Sequence, residues 1–523
     1  MPKWIFVTGG VLSGLGKGLI SASVSKLLQE RNQEIVPIKC DGYLNVDPGT
    51  MNPHEHGEVF VLNDGTEVDM DFGHYERFLG IEGKGNWNLT SGKIFQDVIN
   101  KEREGKYLGK TVQMVPHVTD EIKDSWKKAA NESEADIVAV EVGGTVGDIE
   151  NMLYLEAVRQ LRSELPDEDT FHIHATLVPF LETTGEQKTK PTQHSVKELR
   201  ETGLEPDMIV GRSENELTEE SIEKISLFCD VPKEAVISDP DIENVYELPL
   251  LFDRQNTDQI IADKMELPER ENGMKDWKQR VENMKKEPVA KIAICGKYTD
   301  MDDSYVSVEA ALEHSAAQIG GNIEIEQLGT ENFDPETDLE GFDGVIIPGG
   351  FGKRGIEGKI DAIKYCREQD IPILGLCYGL QLMVLEYARN VLGLEASSAE
   401  FENGEKHLVI DEMPEQKDLE EMGGTMRLGN YTAELEGQVQ QIYGKEEAQE
   451  RHRHRYEVNN KYIEQLEEKG LKISGKNKEK DLVEYIELPE NNYFIGTQAH
   501  PEFTSTFAEP NPLYLSFLKA STE

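Results

Sequence analysis

The sequence predicts an α/β protein in which a doubly wound parallel sheet domain of the P-loop type is joined to a second α/β domain. At 523 residues the chain is too long for one hydrophobic core. Apolar segments of strand length alternate with segments of helical periodicity, which is typical of parallel sheets covered by helices. The alternation stops at a polar stretch and then begins again. We therefore predict a first domain over residues 1–267, a linker helix over 268–288, which could also pack on either domain, and a second domain over 289–523.

The first strand and the first helix enclose a glycine-rich loop. The strand is predicted over Trp4–Val7, the loop spans Thr8–Gly18, and apolar residues at helical spacing follow. Free N–H groups, the helix dipole and Lys17 favour a nucleotide phosphate at this turn. The strict phosphate-loop pattern fails twice, because Val11 replaces its first glycine and Gly18 replaces its hydroxyl residue. That hydroxyl normally contacts Mg²⁺, so we expect the metal ligands elsewhere.

Further segments continue both α/β patterns. The near-continuous β-branched character of the central ones indicates burial on both faces. The predicted strands are Glu34–Lys39, Ile137–Val142, Ala290–Cys295, Gly344–Ile347 and Ile371–Leu374. Residues 402–424 and 429–445 are more polar and are predicted to be peripheral loops or an edge hairpin. Ligands of such sheets bind at the carboxyl ends of the strands. Asp71 and Glu141 are oxygen donors expected there, and we predict that they hold Mg²⁺.

A cysteine in the second domain lies in the sequence context of a catalytic nucleophile. Gly375-Leu376-Cys377-Tyr378-Gly379 follows a predicted strand, and its small residues permit a strained strand-to-helix turn. A helix N-terminus there favours the thiolate. His500 would take and return the proton, while Glu502 would fix the tautomer of His500. The glycine turn Pro348–Gly352 offers N–H groups for an oxyanion hole. Together these features predict nucleophilic catalysis.

Composition excludes several other classes of function. A net charge of −46 makes nucleic acid an unfavourable general partner, because such binding depends on Lys and Arg. The acidity is spread along the chain, and we interpret it as an adaptation of a halophilic prokaryote, in which concentrated salt screens the repulsion. No apolar run is long enough to span a membrane, and the N-terminus lacks the apolar core of a signal peptide. The 5 cysteines have neither metal nor disulfide spacing, so we expect a cytoplasmic protein.

The second half of the sequence resembles the class I glutamine amidotransferases, in which a cysteine attacks the glutamine side-chain amide and releases ammonia. The resemblance assigns Cys377 as the nucleophile, His500 as the base and Glu502 as the residue that orients it. A cationic arginine and a glutamate suit the zwitterionic end of an amino acid. The residues expected to bind glutamine are Gly350, Gln381, Glu400 and Arg455.

The first half resembles the CTP synthases over several long motifs. These are Asp41–Met51, His56–Phe60, Asp71–Arg77, Glu141–Glu150 and Lys188–Ser195. With the amidotransferase half, the resemblance extends over nearly the whole chain. It implies phosphorylation of O4 of UTP by ATP, followed by displacement of the phosphate at C4 by ammonia. It also implies Mg²⁺, feedback inhibition by CTP, activation by GTP, and a homotetramer.

The resemblance also implies which residues contact the nucleotides. Lys17 is expected to neutralise the transferring γ-phosphoryl group. The ATP site is expected to contain Gly14, Leu15, Gly16, Lys17, Asp71, Asp241 and Ile242. The UTP and CTP contacts are expected at Ser13, Asp148, Ile149, Glu150, Lys188, Thr189, Lys190, Pro191, Thr192, Gln193 and Lys224. Lys188 and Lys190 would form a basic island for a triphosphate. Arg427 is the expected GTP contact, and His56 either guides ammonia or is structural.

Two other hypotheses stay open at this point. A glutamine-dependent amidase of the cobyrinate type also joins a phosphate-loop domain to an amidotransferase, although the Lys188–Ser195 and Asp148–Glu150 segments argue against it. A structural or filament-forming role without catalysis is disfavoured by the intact Cys377, His500 and Glu502. Assembly into filaments alongside catalysis is compatible with the sequence. Tyr378 departs from the leucine common in the family, and Ala499 from the phenylalanine. We hypothesise that these two departures compensate each other in volume.

Overall fold

The computed structural model describes residues 2–47, 58–270, 273–297, 304–401, 407–412 and 426–522. Its described residues form two compact units. The first unit comprises residues within 1–48 and 74–278, and the second comprises residues within 49–73 and 279–523. Within the described chain, no helix has the length and apolar character needed to cross a membrane.

Strands and helices alternate along both units. The strands are β1 (Lys3–Gly9), β2 (Ile35–Asp41), β3 (Val59–Val61), β4 (Glu67–Asp69), β5 (Asn88–Thr90), β6 (Ile137–Val142), β7 (Thr170–Leu177), β8 (Phe180–Leu181), β9 (Glu186–Gln187), β10 (Met208–Ser213), β11 (Val236–Pro240), β12 (Pro288–Gly296), β13 (Asn322–Gly329), β14 (Gly344–Ile347), β15 (Ile373–Leu376), β16 (Ala396–Ser398), β17 (His407–Glu412), β18 (Arg427–Leu435), β19 (Glu447–His454), β20 (Tyr456–Val458), β21 (Lys472–Asn477), β22 (Leu482–Glu487) and β23 (Phe494–Thr497).

The α-helices cover the sheets and connect their strands. They are α1 (Lys17–Gln29), α2 (Met70–Leu79), α3 (Ser91–Arg103), α4 (Thr119–Glu132), α5 (Met152–Glu164), α6 (Lys190–Glu201), α7 (Glu219–Cys229), α8 (Leu248–Arg254), α9 (Thr257–Met265), α10 (Lys275–Met284), α11 (Val306–Ile319), α12 (Pro335–Asp338), α13 (Ile356–Gln369), α14 (Tyr378–Asn390), α15 (Gly437–Tyr443), α16 (Ile463–Glu467) and α17 (Pro512–Thr522).

The first unit is built on a 7-stranded sheet in the order β11-β10-β7-β1-β6-β2-β5. All its neighbouring strands are parallel, so their carboxyl ends share one edge. Every residue of β6 is buried, which agrees with its predicted position at the centre of a sheet. The strands predicted in this half, and the parallel α/β fold, are confirmed. The shared edge therefore follows β1, β6 and β7, the strands that precede the predicted nucleotide segments.

The second unit contains a 9-stranded sheet in the order β13-β12-β14-β15-β23-β22-β21-β18-β19. Its strands are parallel from β13 to β23 and antiparallel from β23 to β19. β15 begins two residues later than predicted, because the N–H of Ile371 donates to the Cys366 carbonyl at 3.0 Å and Pro372 has no N–H. The two central strands, β15 and β23, end beside each other and carry the predicted nucleophile and base.

In three segments the structure adds to the sequence-based description. The β3–β4 hairpin lies in the N-terminal half of the sequence but groups with the second unit. Of the two alternatives predicted for residues 429–445, the edge hairpin is the one observed, because β18 pairs antiparallel with the edge strand β19; the helix α15 between them was not predicted. The linker segment contains α10, which is packed: the Trp277 indole N–H donates to the Tyr246 carbonyl at 2.8 Å within the first unit. The domain limits at 267 and 289 stay a prediction.

Candidate functional site

Cys377 lies at a sharp turn between β15 and α14. Its backbone has φ 50° and ψ −99°, a sparsely populated conformation that places strain at a functional position. The backbone N–H of Cys377 donates to the Thr497 carbonyl at 2.7 Å, which fixes the turn against β23. A Cβ at Gly375 would approach the Met383 sulfur to 2.3 Å, and one at Gly379 would approach the Ile347 oxygen to 2.1 Å. The flanking glycines are thus required by the packing of the turn.

His500 and Glu502 form the expected pair beside this turn. His500 Nδ1 and Glu502 Oε1 are 2.7 Å apart, and Tyr514 donates a 3.5 Å hydrogen bond to the other carboxylate oxygen. Burial opposes charge on the imidazole, but the charges of Glu502 and Cys377 outweigh it and raise the pKa of His500 well above 6.5. The buried Nε2 atom of His500 makes no hydrogen bond within the described residues.

The glycine turn after β14 adjoins the same imidazole. A Cβ at Gly349 would lie 2.8 Å from His500 Cε1, so only glycine allows this approach. The Gly352 N–H donates to Glu400 Oε1 at 2.7 Å, and the Tyr378 hydroxyl donates to the Gly352 carbonyl at 2.8 Å. Burial raises the pKa of Glu400, while the Gly352 N–H and the charge of Lys297 oppose the rise. Tyr378 therefore holds the turn through its hydroxyl, a role distinct from the predicted volume compensation with Ala499.

Two other predicted glutamine-binding residues are Gln381 and Arg455. Gln381 lies one turn along α14, and its Nε2 donates to the Tyr456 carbonyl at 3.0 Å. Its Oε1 atom is buried and has no hydrogen-bond partner in the described chain. Arg455 is half-buried and lies between β19 and β20. Sequence reasoning missed Gln498, whose amide nitrogen lies 3.7 Å from Cys377 Sγ. No spacing rule singles out this glutamine.

The glycine-rich loop of the first unit has the geometry of an anion cradle. Gly14 and Gly16 have φ 77° and 78°, and Gly16 precedes the first residue of α1. Val11 also has a positive φ, 80°, a backbone conformation that β-branched residues rarely adopt. Lys17 is buried, and its Nζ donates to the Gly144 carbonyl at 2.7 Å, across the ends of β1 and β6. Ser13 is exposed at the loop tip.

The two predicted metal ligands lie on different elements, Glu141 on β6 and Asp71 on α2. Glu141 is the penultimate residue of β6, is 3% exposed and accepts a 2.5 Å hydrogen bond from the Tyr75 hydroxyl. Asp71 is half-buried near the start of α2, where its N–H donates to Asp69. Across the described residues no cluster of three or more His, Cys, Asp or Glu side chains is poised to hold a metal. Mg²⁺ needs only one or two carboxylates when phosphates and water complete its shell, so each of these carboxylates by its chemistry suits that ion.

The predicted UTP segment follows β7 and enters α6. Pro191 lies in the first turn of α6, and Thr192 is buried, with a 2.8 Å hydrogen bond to Thr176. Lys188 contacts Glu186 at 2.7 Å, whereas Lys190 donates to Gln193 at 2.9 Å. The lysines are thus not an isolated basic island, because one has an acidic partner and the other an amide partner. A triphosphate would have to compete with these contacts.

The remaining predicted nucleotide residues lie at the same sheet edge or on adjacent helices. Asp148 accepts a 3.1 Å hydrogen bond from the Thr145 N–H, after β6. The next residue, Ile149, is 85% exposed, and Glu150 is exposed as well. Asp241 follows β11, where Arg212 donates to it at 2.7 Å. The other members of this set are Leu15 (buried), Thr189 (buried), Ile242 (half-buried) and Lys224 (exposed, paired with Glu220 on α7).

Arg427 is not placed to contact GTP directly. Its guanidinium is 1% exposed and forms ion pairs with Glu457, at 3.2 Å, and with Glu484. Burial raises the pKa of Glu457 to about 8, although Arg427 opposes the rise. The predicted GTP contact is therefore corrected to a buried structural role. Residues 423–425 of the same loop, and His56, lie outside the described residues.

Comparisons with known proteins show the family of both halves of the chain. The family model described as "CTP synthase N-terminus" matches residues 3–267, and the model described as "Glutamine amidotransferase class-I" matches residues 300–520. A CTP synthase of Archaeoglobus fulgidus is 52% identical over 99% of this chain and 98% of its own length. Those of Halalkalibacterium halodurans and Caldanaerobacter subterraneus are 50% and 51% identical, each over 99% of this chain and over 99% and 98% of their own lengths.

Proposed function

This chain belongs to the CTP synthase family, whose members are glutamine-hydrolysing ligases, and we propose the following division of the reaction between its two units. The second unit hydrolyses glutamine to ammonia. The first unit uses ATP to activate O4 of UTP and exchanges the resulting phosphate for ammonia. The observation that carries the assignment of residues is the strained Cys377 turn beside the buried His500–Glu502 pair.

In the glutaminase step, the Cys377 thiol first gives its proton to His500 Nε2, and the resulting thiolate forms a bond to the amide carbon of glutamine. The negative oxygen is held by the N–H groups of the glycine turn, of which Gly350 belongs to the predicted set. The tetrahedral species collapses, His500 returns the proton to the leaving nitrogen, and ammonia departs. Water then hydrolyses the thioester with His500 as the base. Glu502 stabilises the imidazolium throughout, and Gln381, Glu400 and Arg455 are proposed to hold the amino acid.

In the synthetase step, the loop N–H groups and Lys17 hold the phosphates of ATP, and the glycines at positions 14 and 16 add no side chain that would cover these donors. Residues Lys188–Gln193 hold UTP so that its O4 faces the γ-phosphoryl group. The γ-phosphoryl group is transferred to O4, and ammonia then adds at C4 and expels the phosphate. Asp71 and Glu141 would hold Mg²⁺, which neutralises charge on the transferring group. CTP feedback at Asp148–Glu150, GTP activation, a homotetramer and a cytoplasmic location stay predictions from the resemblance and the sequence.

The test is direct. The purified chain is incubated with UTP, ATP, Mg²⁺ and either glutamine or ammonium, and formation of the cytosine chromophore is followed by absorbance. We expect product from both nitrogen donors and none without ATP. Absence of CTP with both donors would refute the assignment, and amidation of a corrinoid acid instead would favour the cobyrinate-type alternative.

A further inference from the structure

A continuous chain of buried polar groups lies below the glycine-rich loop of the first unit. The Thr8 hydroxyl, at the end of β1, lies 2.8 Å from His172 Nε2 and 2.9 Å from His174 Nδ1. The chain ends on one side at the Glu205 carbonyl, 3.2 Å from His172 Nδ1. On the other side it ends at the Ser195 hydroxyl, 2.8 Å from His174 Nε2. The four side chains are at most 2% exposed, so the chain is shielded from water.

The direction of these hydrogen bonds follows from the carbonyl at one end. A carbonyl only accepts, so His172 Nδ1 carries a proton and, in the neutral ring, Nε2 accepts from the Thr8 hydroxyl. The Thr8 oxygen then accepts from His174 Nδ1–H, which leaves His174 Nε2 as the acceptor for the Ser195 hydroxyl. Burial and the charge of Lys17 lower the pKa of His174 to about 3, which is consistent with a neutral ring. Each ring nitrogen of the two histidines thus has a hydrogen-bond partner, and each histidine has one defined tautomer.

The chain joins the two segments that bind the two nucleotides in the proposed function. Thr8 leads into the loop proposed for ATP, and Ser195 lies on α6, whose first turn belongs to the segment proposed for UTP. The loop and α6 also touch directly, because a Cβ at Gly10 would lie 1.6 Å from Ser195 Oγ. The Gly10 N–H donates to the Ala175 carbonyl of β7 at 3.0 Å, so the loop is fixed to the strand that carries both histidines.

We propose that His174 is a positioning residue, which sets the distance between the ATP loop and the UTP helix through its hydrogen bond to Ser195. Phosphoryl transfer requires the γ-phosphoryl group and O4 of UTP to meet in line, and small displacements are costly. The hydroxyls of Thr8 and Ser195 both bond to the rigid, neutral imidazole of His174, which fixes the loop and α6 relative to each other. This inference rests on the proposed function, since it assumes that the two segments bind ATP and UTP.

The test compares two substitutions at His174 with one at Ser195. His174→Asn keeps a donor at the Nδ1 position for Thr8 and removes the acceptor for Ser195, whereas His174→Gln places an oxygen near the former Nε2. Ammonium-dependent CTP formation is measured at varied UTP and varied ATP, together with melting temperature and glutamine hydrolysis. We expect His174→Asn and Ser195→Ala each to lower kcat/KM for UTP about 10-fold, with glutamine hydrolysis within twofold of wild type. His174→Gln should lose less than threefold.

The double variant His174→Asn/Ser195→Ala is expected to match either single variant, because both remove the same hydrogen bond. Multiplicative losses, or lower melting temperatures with unchanged kinetics for UTP, would overturn the positioning role. A wild-type chain that forms no CTP from ammonium would instead refute the proposed function on which the inference rests.

Discussion

Replacing Glu502 with glutamine would isolate the contribution of its charge to glutamine hydrolysis. The carboxylate is 3% exposed and lies 2.7 Å from His500 Nδ1, so solvent screens the interaction weakly. A hydrogen bond to a charged group contributes about 1.5–3 kcal/mol, and a neutral one contributes about 0.5–1.5 kcal/mol. Glutamine can keep the neutral bond, so the loss is about 1–1.5 kcal/mol. We expect glutaminase kcat/KM to fall about 5- to 13-fold.

The same substitution should change the pH dependence in a defined direction. Removal of the carboxylate lowers the pKa of His500, because the charge of Glu502 is among the causes that raise it. In wild type the imidazolium adds stability below the unfolded pKa of about 6.5, and this contribution is lost as pH rises through the raised folded pKa. The melting temperature of wild type should therefore exceed that of Glu502→Gln at pH 6, and the difference should shrink as pH rises.

The assays are glutamine hydrolysis and ammonium-dependent CTP formation, measured on the same samples. Tyr514→Phe is the matched control, because it removes only a 3.5 Å hydrogen bond to the same carboxylate, and its rate should stay within about threefold of wild type. Ammonium-dependent synthesis should be unchanged in both variants. An unaltered glutaminase pH profile in Glu502→Gln, or an equal loss of ammonium-dependent synthesis, would refute the assigned role.

Four further outcomes are expected. Cys377→Ala should abolish glutamine-dependent CTP formation and retain synthesis from ammonium; equal loss of both would contradict separate sites. Arg427→Met should lower the free energy of unfolding by about 3 kcal/mol in urea titrations at pH 9, where Glu457 is ionised, because the substitution removes the cationic partner of two buried glutamates; an unchanged midpoint would contradict a structural role for Arg427. Glu457→Gln should raise the melting temperature at pH 9 but not at pH 5, since the native state holds a proton up to a pKa of about 8 that the unfolded state loses near 4.5; equal shifts at both would argue against this. With a net charge of −46, the melting temperature should rise by about 5 °C or more from low to molar salt, and equal values would refute the halophilic interpretation.

The sequence by itself determined the features that depend on residues close together along the chain. The strand over Ile137–Val142 was predictable from its β-branched run, and the turn at Cys377 from the glycines at positions 375 and 379 that flank it. The pair of His500 and Glu502 lies within one short turn, so its hydrogen bond follows from spacing of two residues. These three features could therefore be predicted without knowing any contact between residues far apart in sequence.

Tertiary structure alone decided which side chains were buried and with what partners. Thr8 and His174 are 166 residues apart in sequence, and only the pairing of β1 with β7 brings their side chains together. Arg427 has the sequence context of an exposed loop, yet strand pairing buries it between two glutamates. Nothing in the sequence indicated the hydrogen bond from Tyr75 to Glu141. Local spacing encodes the direction of a side chain along its own element, whereas its neighbours depend on how the sheet orders its strands.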